Sequence, residues 1–282
     1  MKVAYVVGLG RSGSTLLDLM LNAHSQVFTV GEIKDLWVYA HMKKQVRRKP
    51  RGHLTNGNRC TCQAESIWEC DFWAGVNRRL EGQEGVTLAD LEVQSKDEER
   101  FRRDNARLFQ AVGEESGSQV VVDSSKGLSR LLRLMDVPGL EVIPVHMVRD
   151  PWGRANSVRK DRNKALAPAI QYSYNALRVF WALRGHPHPM LQYEDLVADP
   201  EGELRPVMEA MGLEFEAGQL EWAGQESHNI AGNRMRRGSD STLRLDTSWK
   251  EELSPFQKAG VGLFSLPGRV LNSAKERRQG AI

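Results

Sequence analysis

The chain has 282 residues, of which 40% are hydrophobic and 27% are charged, and its formal net charge is +3. This length and apolar content fit one large α/β domain with a buried core, and the small net charge argues against a dedicated nucleic-acid binder. No apolar stretch approaches the roughly 20 residues that cross a bilayer. A strand-like segment starts almost at the first methionine, and three cysteines do not form a secreted disulfide framework. We therefore expect a cytoplasmic protein without a signal peptide.

The chain opens with a strand, a glycine loop and a helix. Residues 3–7 are apolar and rich in β-branched side chains, and Gly8 and Gly10 follow them. This pattern predicts a buried parallel strand that enters a tight loop. The side chains after the loop fall at helical spacing and define one face, formed by Leu16, Leu17, Met20, Leu21 and His24.

The alternation of strand and helix returns in the middle of the chain. Residues 119–122 form a second predicted strand, which ends at a polar Asp-Ser-Ser segment, and residues 128–135 form the helix after it. Residues 141–148 form a third predicted strand. Asp150 is then the expected N-cap of a helix, with Pro151 at the first helical position.

A long helix follows, and its buried stripe is predicted from four apolar residues, Ile170, Tyr174, Leu177 and Trp181. A short strand at residues 190–193 and a helix at residues 204–211 continue the pattern. Repeated strand–helix units predict a doubly wound parallel sheet with helices on both faces. Ligands of that architecture bind at the carboxyl ends of the strands.

Two regions interrupt the alternation. Residues 47–71 are rich in Gly, Arg and Cys and lack periodicity, so they are interpreted as an inserted loop. Residues 221–249 are polar and basic, and we expect them to form a lid-like segment that a ligand orders.

The loop after the first strand, Gly8-Leu9-Gly10-Arg11-Ser12-Gly13-Ser14-Thr15, matches most of the phosphate-binding pattern GxxxxGK[ST]. It carries Ser14 where that pattern has its lysine, and Arg11 supplies a cation inside the loop. Glycines and a helix N-terminus suit the binding of a phosphate. An ordinary ATPase or kinase needs the lysine, so its loss argues against standard ATP chemistry.

Residues 6–16 resemble the 5′-phosphosulfate loop of sulfotransferases that use 3′-phosphoadenosine 5′-phosphosulfate (PAPS). The segment Val148-Arg149-Asp150-Pro151-Trp152-Gly153-Arg154-Ala155-Asn156-Ser157 resembles the 3′-phosphate motif of the same family. Both motifs follow predicted strands, in the order that the family has. The resemblance extends over residues 2–200 and thins beyond them. The whole chain, residues 1–282, is predicted to form one P-loop-like sulfotransferase domain.

The resemblance also implies roles for individual residues. The 5′-phosphosulfate would be held by Arg11, Ser12, Gly13, Ser14 and Thr15. Arg149 and Ser157 would hold the 3′-phosphate, since an arginine fork matches phosphate oxygens. Family members often close the nucleotide site with a basic loop, and the candidates here are Arg236, Arg237 and Gly238; a solvated basic loop is the alternative.

Sulfuryl transfer is an in-line displacement in which an acceptor oxygen attacks sulfur and a phosphate oxygen leaves. Arg11 is the expected stabiliser of the leaving group, and no metal is required because fixed cations do the electrostatic work. Glu32 is the favoured general base, by its resemblance to a Gly-Glu element of the protein-tyrosine branch. His24 is interpreted instead as a core-edge or capping residue. Lys126 is expected to contact the sulfuryl oxygens or an acidic acceptor.

Two further features leave alternatives open. Ser124 and Ser125 belong either to the site or to the N-cap of the next helix. Cysteines 60, 62 and 70 either pack or bind zinc, with His53 or His41 as the fourth ligand. The tryptophans Trp73, Trp152, Trp181 and Trp249 are interpreted as core or site-wall residues.

The sequence thus predicts a PAPS-dependent sulfotransferase that acts on a hydroxyl group, with a small molecule as the expected acceptor. A non-catalytic protein that binds PAPS or its product, 3′-phosphoadenosine 5′-phosphate (PAP), is the first alternative, and a nucleotide-dependent kinase is the second. Neither a nucleic acid nor a membrane is expected as a partner. Nothing in the sequence indicates the oligomeric state.

Overall fold

A five-stranded parallel sheet lies at the centre of the protein, in the order β2-β3-β1-β4-β5. The structure is a computed structural model, and it describes residues 1–41, 60–162, 166–231 and 240–273. The strands are β1 (Lys2–Gly8), β2 (Val27–Gly31), β3 (Val120–Lys126), β4 (Glu141–Val148) and β5 (Met190–Gln192). The chain passes from β1 beyond β3 to the outer strand β2 and then returns to β3. From β3 it passes beyond β1 to β4 and continues to β5. The direction in which successive strands are added therefore reverses between β1 and β3.

Helices cover both faces of this sheet, as the sequence predicted. Their bounds are α1 (Ser14–Asn22), α2 (Leu36–His41), α3 (Asp71–Glu84), α4 (Glu98–Ser116), α5 (Leu128–Met135), α6 (Pro151–Arg162), α7 (Leu166–Ala182), α8 (Tyr193–Ala198), α9 (Pro200–Met211), α10 (Trp249–Glu252) and α11 (Pro255–Asn272). Short 3-10 helices lie at Ile33–Asp35 and Ala217–Leu220.

Strand β1 is buried on both faces because each face meets its own layer of helices. Val3, Tyr5 and Val7 pack with the α3, α4 and α5 side of the core, whereas Ala4 and Val6 pack with the α1 and α9 side. All five side chains are fully buried. A central strand of a doubly wound sheet has this continuous apolar character.

Because all the strands are parallel, their carboxyl ends meet at one edge of the sheet. Val7 is in register with Lys126, Gly8 with Met147, and Val148 with Gln192. The glycine loop and the segments that follow β2, β3, β4 and β5 therefore start close together. This edge is where a ligand is expected in a doubly wound sheet.

Most of the predicted elements are confirmed, with bounds that differ by a few residues. Asp150 caps α6, since its carboxylate accepts a hydrogen bond of 2.7 Å from the backbone N–H of Gly153, and Pro151 is the first residue of that helix. Helix α1 ends at Asn22, so His24 lies in the turn after it rather than on it.

The predicted buried stripe of α7 is wrong. The side chains of Ile170, Tyr174, Leu177 and Trp181 are exposed, between 46% and 61% each. The helix buries its opposite face instead, with Ala169, Tyr172, Ala176 and Val179. Both faces of α7 carry apolar residues at helical spacing. The face with Tyr172 packs against α11, where Gly268 permits the close approach of the two helices. Trp181 is 59% exposed, so the interpretation of this residue as part of the core is wrong.

The two interrupting regions lie only partly within the described residues. Of the predicted insertion at residues 47–71, residues 60–71 are described, and they lead into α3. Of the predicted lid-like segment at residues 221–249, residues 232–239 are outside the description, and the rest is largely irregular up to α10. Among the helices that the structure describes, none combines the length and the apolar character of a membrane span.

Candidate active site

The loop between β1 and α1 is shaped by two glycines that accept no side chain. A Cβ atom at Gly8 would collide with the backbone oxygen of Met147 on the neighbouring strand β4. Gly13 has a φ of 92°, and a Cβ atom there would lie 2.5 Å from Cδ2 of Tyr193 and 2.8 Å from Cε of Met147. These close approaches bring the loop against the carboxyl ends of β4 and β5.

Helix α1 begins directly after the loop, and its first turn offers backbone N–H donors. Gly13 is its N-cap, and no side chain among the described residues caps it. The first N–H groups of a helix have no partner within it, and they carry the positive end of the helix dipole. Ser12 and Ser14 are buried in the loop. This local structure is suited to bind an anion.

Arg11 lies in the middle of the loop with a φ of 71°, a left-handed conformation that is uncommon for a residue with a side chain. Lys126, at the end of β3, has a similar φ of 70°. Such strained positions concentrate at functional sites, where the surrounding structure holds them. Two of the predicted catalytic cations therefore occupy special backbone positions at the same edge of the sheet.

Arg149 follows β4 and lies beneath the loop. It is 8% exposed, and its guanidinium donates 3.3 Å to the backbone oxygen of Arg11 and 3.2 Å to Asp246. The aromatic ring of Tyr193 lies 4.7 Å from the guanidinium carbon. The buried Nε of Arg149 has no hydrogen-bond partner among the described residues. A buried arginine whose guanidinium has an unused hydrogen-bond donor is suited to bind a phosphate.

A second arginine ties α6 to the loop. Arg154 donates 3.2 Å to the backbone oxygen of Gly10 and 2.9 Å to that of Pro168 on α7. Ser157 lies further along α6 and is half-buried. Arg154 was not predicted as a site residue, although it lies within the motif that the sequence analysis quoted.

Glu32 directly follows β2 and is bound by two lysines. Nζ of Lys126 donates to its carboxylate at 2.6 Å, and Nζ of Lys34 donates to the other oxygen. Burial by itself raises the pKa of Glu32, but the charges and hydrogen bonds of Lys126 and Lys34 outweigh it and lower that pKa to about 2. The carboxylate is therefore ionised at neutral pH. Lys34 was missed by the sequence analysis, although it lies two residues from the predicted base.

Glu32 is also held by its backbone. Its N–H donates 2.8 Å to the oxygen of Ile230, and the N–H of Ile230 donates 2.9 Å to the oxygen of Val30. Residues near 230 thus extend the sheet edge beside β2. The segment that contains Ile230 fixes the position of the predicted base.

Ser124 and Ser125 do not cap the helix that follows them. Ser124 is buried and donates 2.7 Å to Asp18 on α1, and Ser125 accepts a hydrogen bond of 3.1 Å from the backbone N–H of Lys34. Helix α5 has Gly127 as its N-cap, so the capping alternative is wrong. Ser125 instead supports the turn that carries Lys34.

His24 lies outside this group, as the sequence analysis expected. Its Nδ1 accepts a hydrogen bond of 3.0 Å from the backbone N–H of Gln26, so Nε2 carries the proton and donates 2.9 Å to the oxygen of Glu214. The histidine is buried at the edge of the core. It joins the turn after α1 to the segment after α9.

A groove lies beside Lys34. Its volume is about 280 Å³. It is lined by Lys34, Trp37, Glu92, Val93, Gln94, Ser95 and Lys96. Lys34 belongs both to this groove and to the charged group around Glu32. The groove combines an exposed tryptophan face with charges of both signs.

Cysteines 60, 62 and 70 lie together, and the histidine beside them is His228. His53 and His41 were the histidines predicted as alternatives for the fourth ligand. His53 is outside the described residues, and Nδ1 of His41 is bonded to the backbone oxygen of Trp37 at 2.9 Å. The contribution of His228 was missed because it is more than 150 residues away along the chain.

Arg236, Arg237 and Gly238 lie outside the described residues, so their predicted role stays a prediction.

Comparison with solved structures agrees with this architecture. The sulfotransferase domain of the olefin synthase of Synechococcus PCC 7002 is 17% identical, with a TM-score of 0.60, and the match covers 97% of this chain and 94% of that domain. The sulfotransferase domain of the curacin biosynthetic pathway is also 17% identical, with a TM-score of 0.58, and the match covers 94% and 96%. At 17% sequence identity, this similarity shows that the fold is shared.

The comparison with curated proteins finds no match to this sequence. The family model described as the sulfotransferase family matches residues 4–217, which include the glycine loop, Glu32, Lys126 and the β4–α6 motif. That match spans most of the chain, including most of β1 and all of the other four strands. The chain belongs to the sulfotransferase family.

Proposed function

We propose that this protein transfers a sulfuryl group from PAPS to the hydroxyl group of a small-molecule acceptor. One observation carries the proposal: a glycine loop without the ATP-specific lysine lies beside a buried arginine, Arg149, whose donors are only partly used. A sulfotransferase needs both features, because its donor carries a phosphosulfate and a separate 3′-phosphate.

The 5′-phosphosulfate would bind in the loop over the first turn of α1. Backbone N–H groups and the side chains of Ser12, Ser14 and Thr15 would contact its oxygens, and Gly13 keeps the approach open. Arg11 would stabilise the charge that develops on the leaving phosphate. These are fixed dipoles and cations, so the transfer needs no metal ion from the protein.

The 3′-phosphate would bind Arg149 and Ser157. Asp246 accepts from Arg149 at 3.2 Å from an exposed position, and it would be displaced when a phosphate binds. A phosphate offers more acceptor oxygens to the guanidinium than one carboxylate, and it reaches donors that Asp246 leaves unused. Arg236, Arg237 and Gly238 are further candidates for contacts with this group.

The reaction itself would depend on the pair formed by Glu32 and Lys126. With a pKa of about 2, Glu32 is ionised but has little affinity for a proton while both lysines hold it. When the donor binds, Lys126 would turn toward the sulfuryl oxygens and leave the carboxylate. The pKa of Glu32 would then rise, and Glu32 could accept the proton of the acceptor hydroxyl as its oxygen attacks sulfur.

The acceptor would bind in the groove beside Lys34. Its volume of about 280 Å³ suits a small molecule. The acceptor hydroxyl would face Glu32, and the ring of Trp37 would contact an apolar part of the molecule. Lys96 and Glu92 also line the groove, so both a cation and an anion are available to a polar group of the acceptor.

Turnover of PAPS tests the proposal. The protein is mixed with PAPS carrying a radioactive sulfur and a panel of phenols, sugars and hydroxylated acids, and the transfer of label to each is measured. We expect transfer to at least one acceptor class, and we expect Arg11→Ala to reduce the rate far more than it weakens PAP binding. Tight PAP binding without transfer to any acceptor would favour the non-catalytic alternative. A dependence on ATP and Mg²⁺ would favour a kinase.

A further inference from the structure

Four side chains that the proposed transfer does not use form a compact cluster. They are Cys60, Cys62, Cys70 and His228, and their four ligand atoms all lie within 4.8 Å of one another. Sγ of Cys70 lies 3.5 Å from Sγ of Cys60, 3.6 Å from Sγ of Cys62 and 3.2 Å from Nδ1 of His228. Sγ of Cys60 lies 3.9 Å from the same nitrogen.

These four separations, 3.2 to 3.9 Å, are close to the edges of a tetrahedron around zinc. Zinc binds cysteine sulfur at about 2.3 Å and histidine nitrogen at about 2.0 Å, which gives ligand–ligand edges of roughly 3.5 to 3.8 Å. Three thiolates and one imidazole are a common set of ligands for a structural zinc ion. Four protein ligands leave no open position for a substrate or a water molecule.

The second nitrogen of the histidine has the partner that a metal-bound imidazole requires. Nε2 of His228 lies 3.3 Å from a carboxylate oxygen of Glu226, while Nδ1 faces the three sulfur atoms. A carboxylate at this position places the proton on Nε2 and leaves Nδ1 to bind a metal. The ring is also stacked on Phe72, with the ring centroids 5.2 Å apart. Its orientation is therefore fixed from two sides.

The ligands come from two segments that other contacts already hold together. The side chain of Thr61, between the first two cysteines, accepts a hydrogen bond of 2.9 Å from the backbone N–H of Asn229. Nε1 of Trp73, at the start of α3, donates 2.7 Å to the backbone oxygen of His228. Cys60 and Cys70 are each 1% exposed. The cluster is thus partly organised by the fold and shielded from solvent.

From this geometry we propose that Cys60, Cys62, Cys70 and His228 bind one structural zinc ion. The ion joins the segment before α3 to the segment after α9, across 158 residues between Cys70 and His228. A link over such a long loop strongly restricts the unfolded chain. The ion is separate from sulfuryl transfer, and its ligands contact no residue of the glycine loop among the contacts described above.

The zinc site supports the active site through the backbone. Ile230, two residues after the ligand His228, exchanges backbone hydrogen bonds with Val30 and Glu32. Loss of the ion would loosen this segment and with it the position of the carboxylate of Glu32. Donor binding by the glycine loop and Arg149 would be affected much less.

Metal analysis of the purified protein tests the proposal. The protein is produced in medium with zinc and purified without a polyhistidine tag or chelator. Its metal content is then measured by inductively coupled plasma mass spectrometry. We expect about one zinc ion per chain, and a loss of at least tenfold in Cys62→Ser and in His228→Ala. His41→Ala is the matched control, because His41 lies outside the cluster, and it should keep its zinc.

Cobalt substitution provides a second test that needs no variant. Replacement of zinc by Co²⁺ in the wild-type protein should produce thiolate-to-cobalt charge-transfer absorption and the intense visible bands of a tetrahedral site. A protein without stoichiometric metal and without these bands would overturn the proposal. So would a disulfide between Cys60 and Cys70 in intact protein, detected by mass spectrometry under non-reducing conditions.

Discussion

Removal of the Lys126 charge should raise the pKa of Glu32. The lysine Nζ lies 2.6 Å from the carboxylate and both side chains are mostly buried, so the attraction is weakly screened. An opposite charge at such a distance typically lowers the pKa of a carboxyl group by about one to three units. In Lys126→Met, burial still favours the neutral form of Glu32, and of the two lysines only Lys34 remains to favour the ionised form. The pKa of Glu32 should therefore rise by about one to three units from its value of about 2.

Carbon-13 NMR of protein labelled at the glutamate carboxyl carbons measures this change, with Glu32→Gln used to assign the signal. In the wild type, the Glu32 signal should not titrate above about pH 4; in Lys126→Met it should titrate within the range of ordinary carboxyl groups. Lys96→Met is the matched control, because it removes a lysine from the neighbouring groove rather than from Glu32. An unchanged Glu32 signal in Lys126→Met, or an equal shift in Lys96→Met, would show that Lys126 is not the cause of the low pKa of Glu32.

Three further predictions concern the donor site. Arg149→Ala should weaken PAP binding roughly 10- to 100-fold, which is the loss expected for one or two hydrogen bonds from a charged group. ADP binding should remain nearly unchanged. Calorimetry measures both affinities, and Arg205→Ala, at an exposed arginine, is the control. Asp246→Asn should tighten PAP binding up to about fivefold, since the exposed carboxylate no longer competes for the arginine, and weaker binding would contradict this competition. Gly13→Ala should abolish PAP binding or folding because its Cβ collides with Tyr193, whereas Gly10→Ala has open space and should fold normally, as thermal melting would report.

The sheet and the loop could be predicted because their signals are local. A run of β-branched residues followed by glycines describes β1 and its loop, and the register of parallel strands then brings the ends of β3 and β4 to the same edge. Asp150 and Pro151 mark the start of α6 through the chemistry of helix capping. Each of these features depends on fewer than about ten consecutive residues.

Features that depend on tertiary packing could not be predicted in the same way. Helix α7 has apolar residues on two faces, and its packing against α11, α6 and the sheet decides which face is buried. His228 joins the cysteines across most of the chain, and no spacing rule indicates a ligand at that distance. Lys34 is an ordinary lysine in the sequence. The turn held by Ser125 is what brings it to Glu32.

The proposed function depends on recognition of a nucleotide by its 3′-phosphate. Calorimetric titration of the wild-type protein with PAP, ADP and ATP–Mg²⁺ measures this recognition. We expect PAP to bind at least tenfold more tightly than ADP, with no gain from Mg²⁺. This result would establish the 3′-phosphate site that distinguishes PAPS from ATP. Equal affinities for PAP and ADP, or a preference for ATP–Mg²⁺, would contradict the proposed donor and with it the assignment of Arg149.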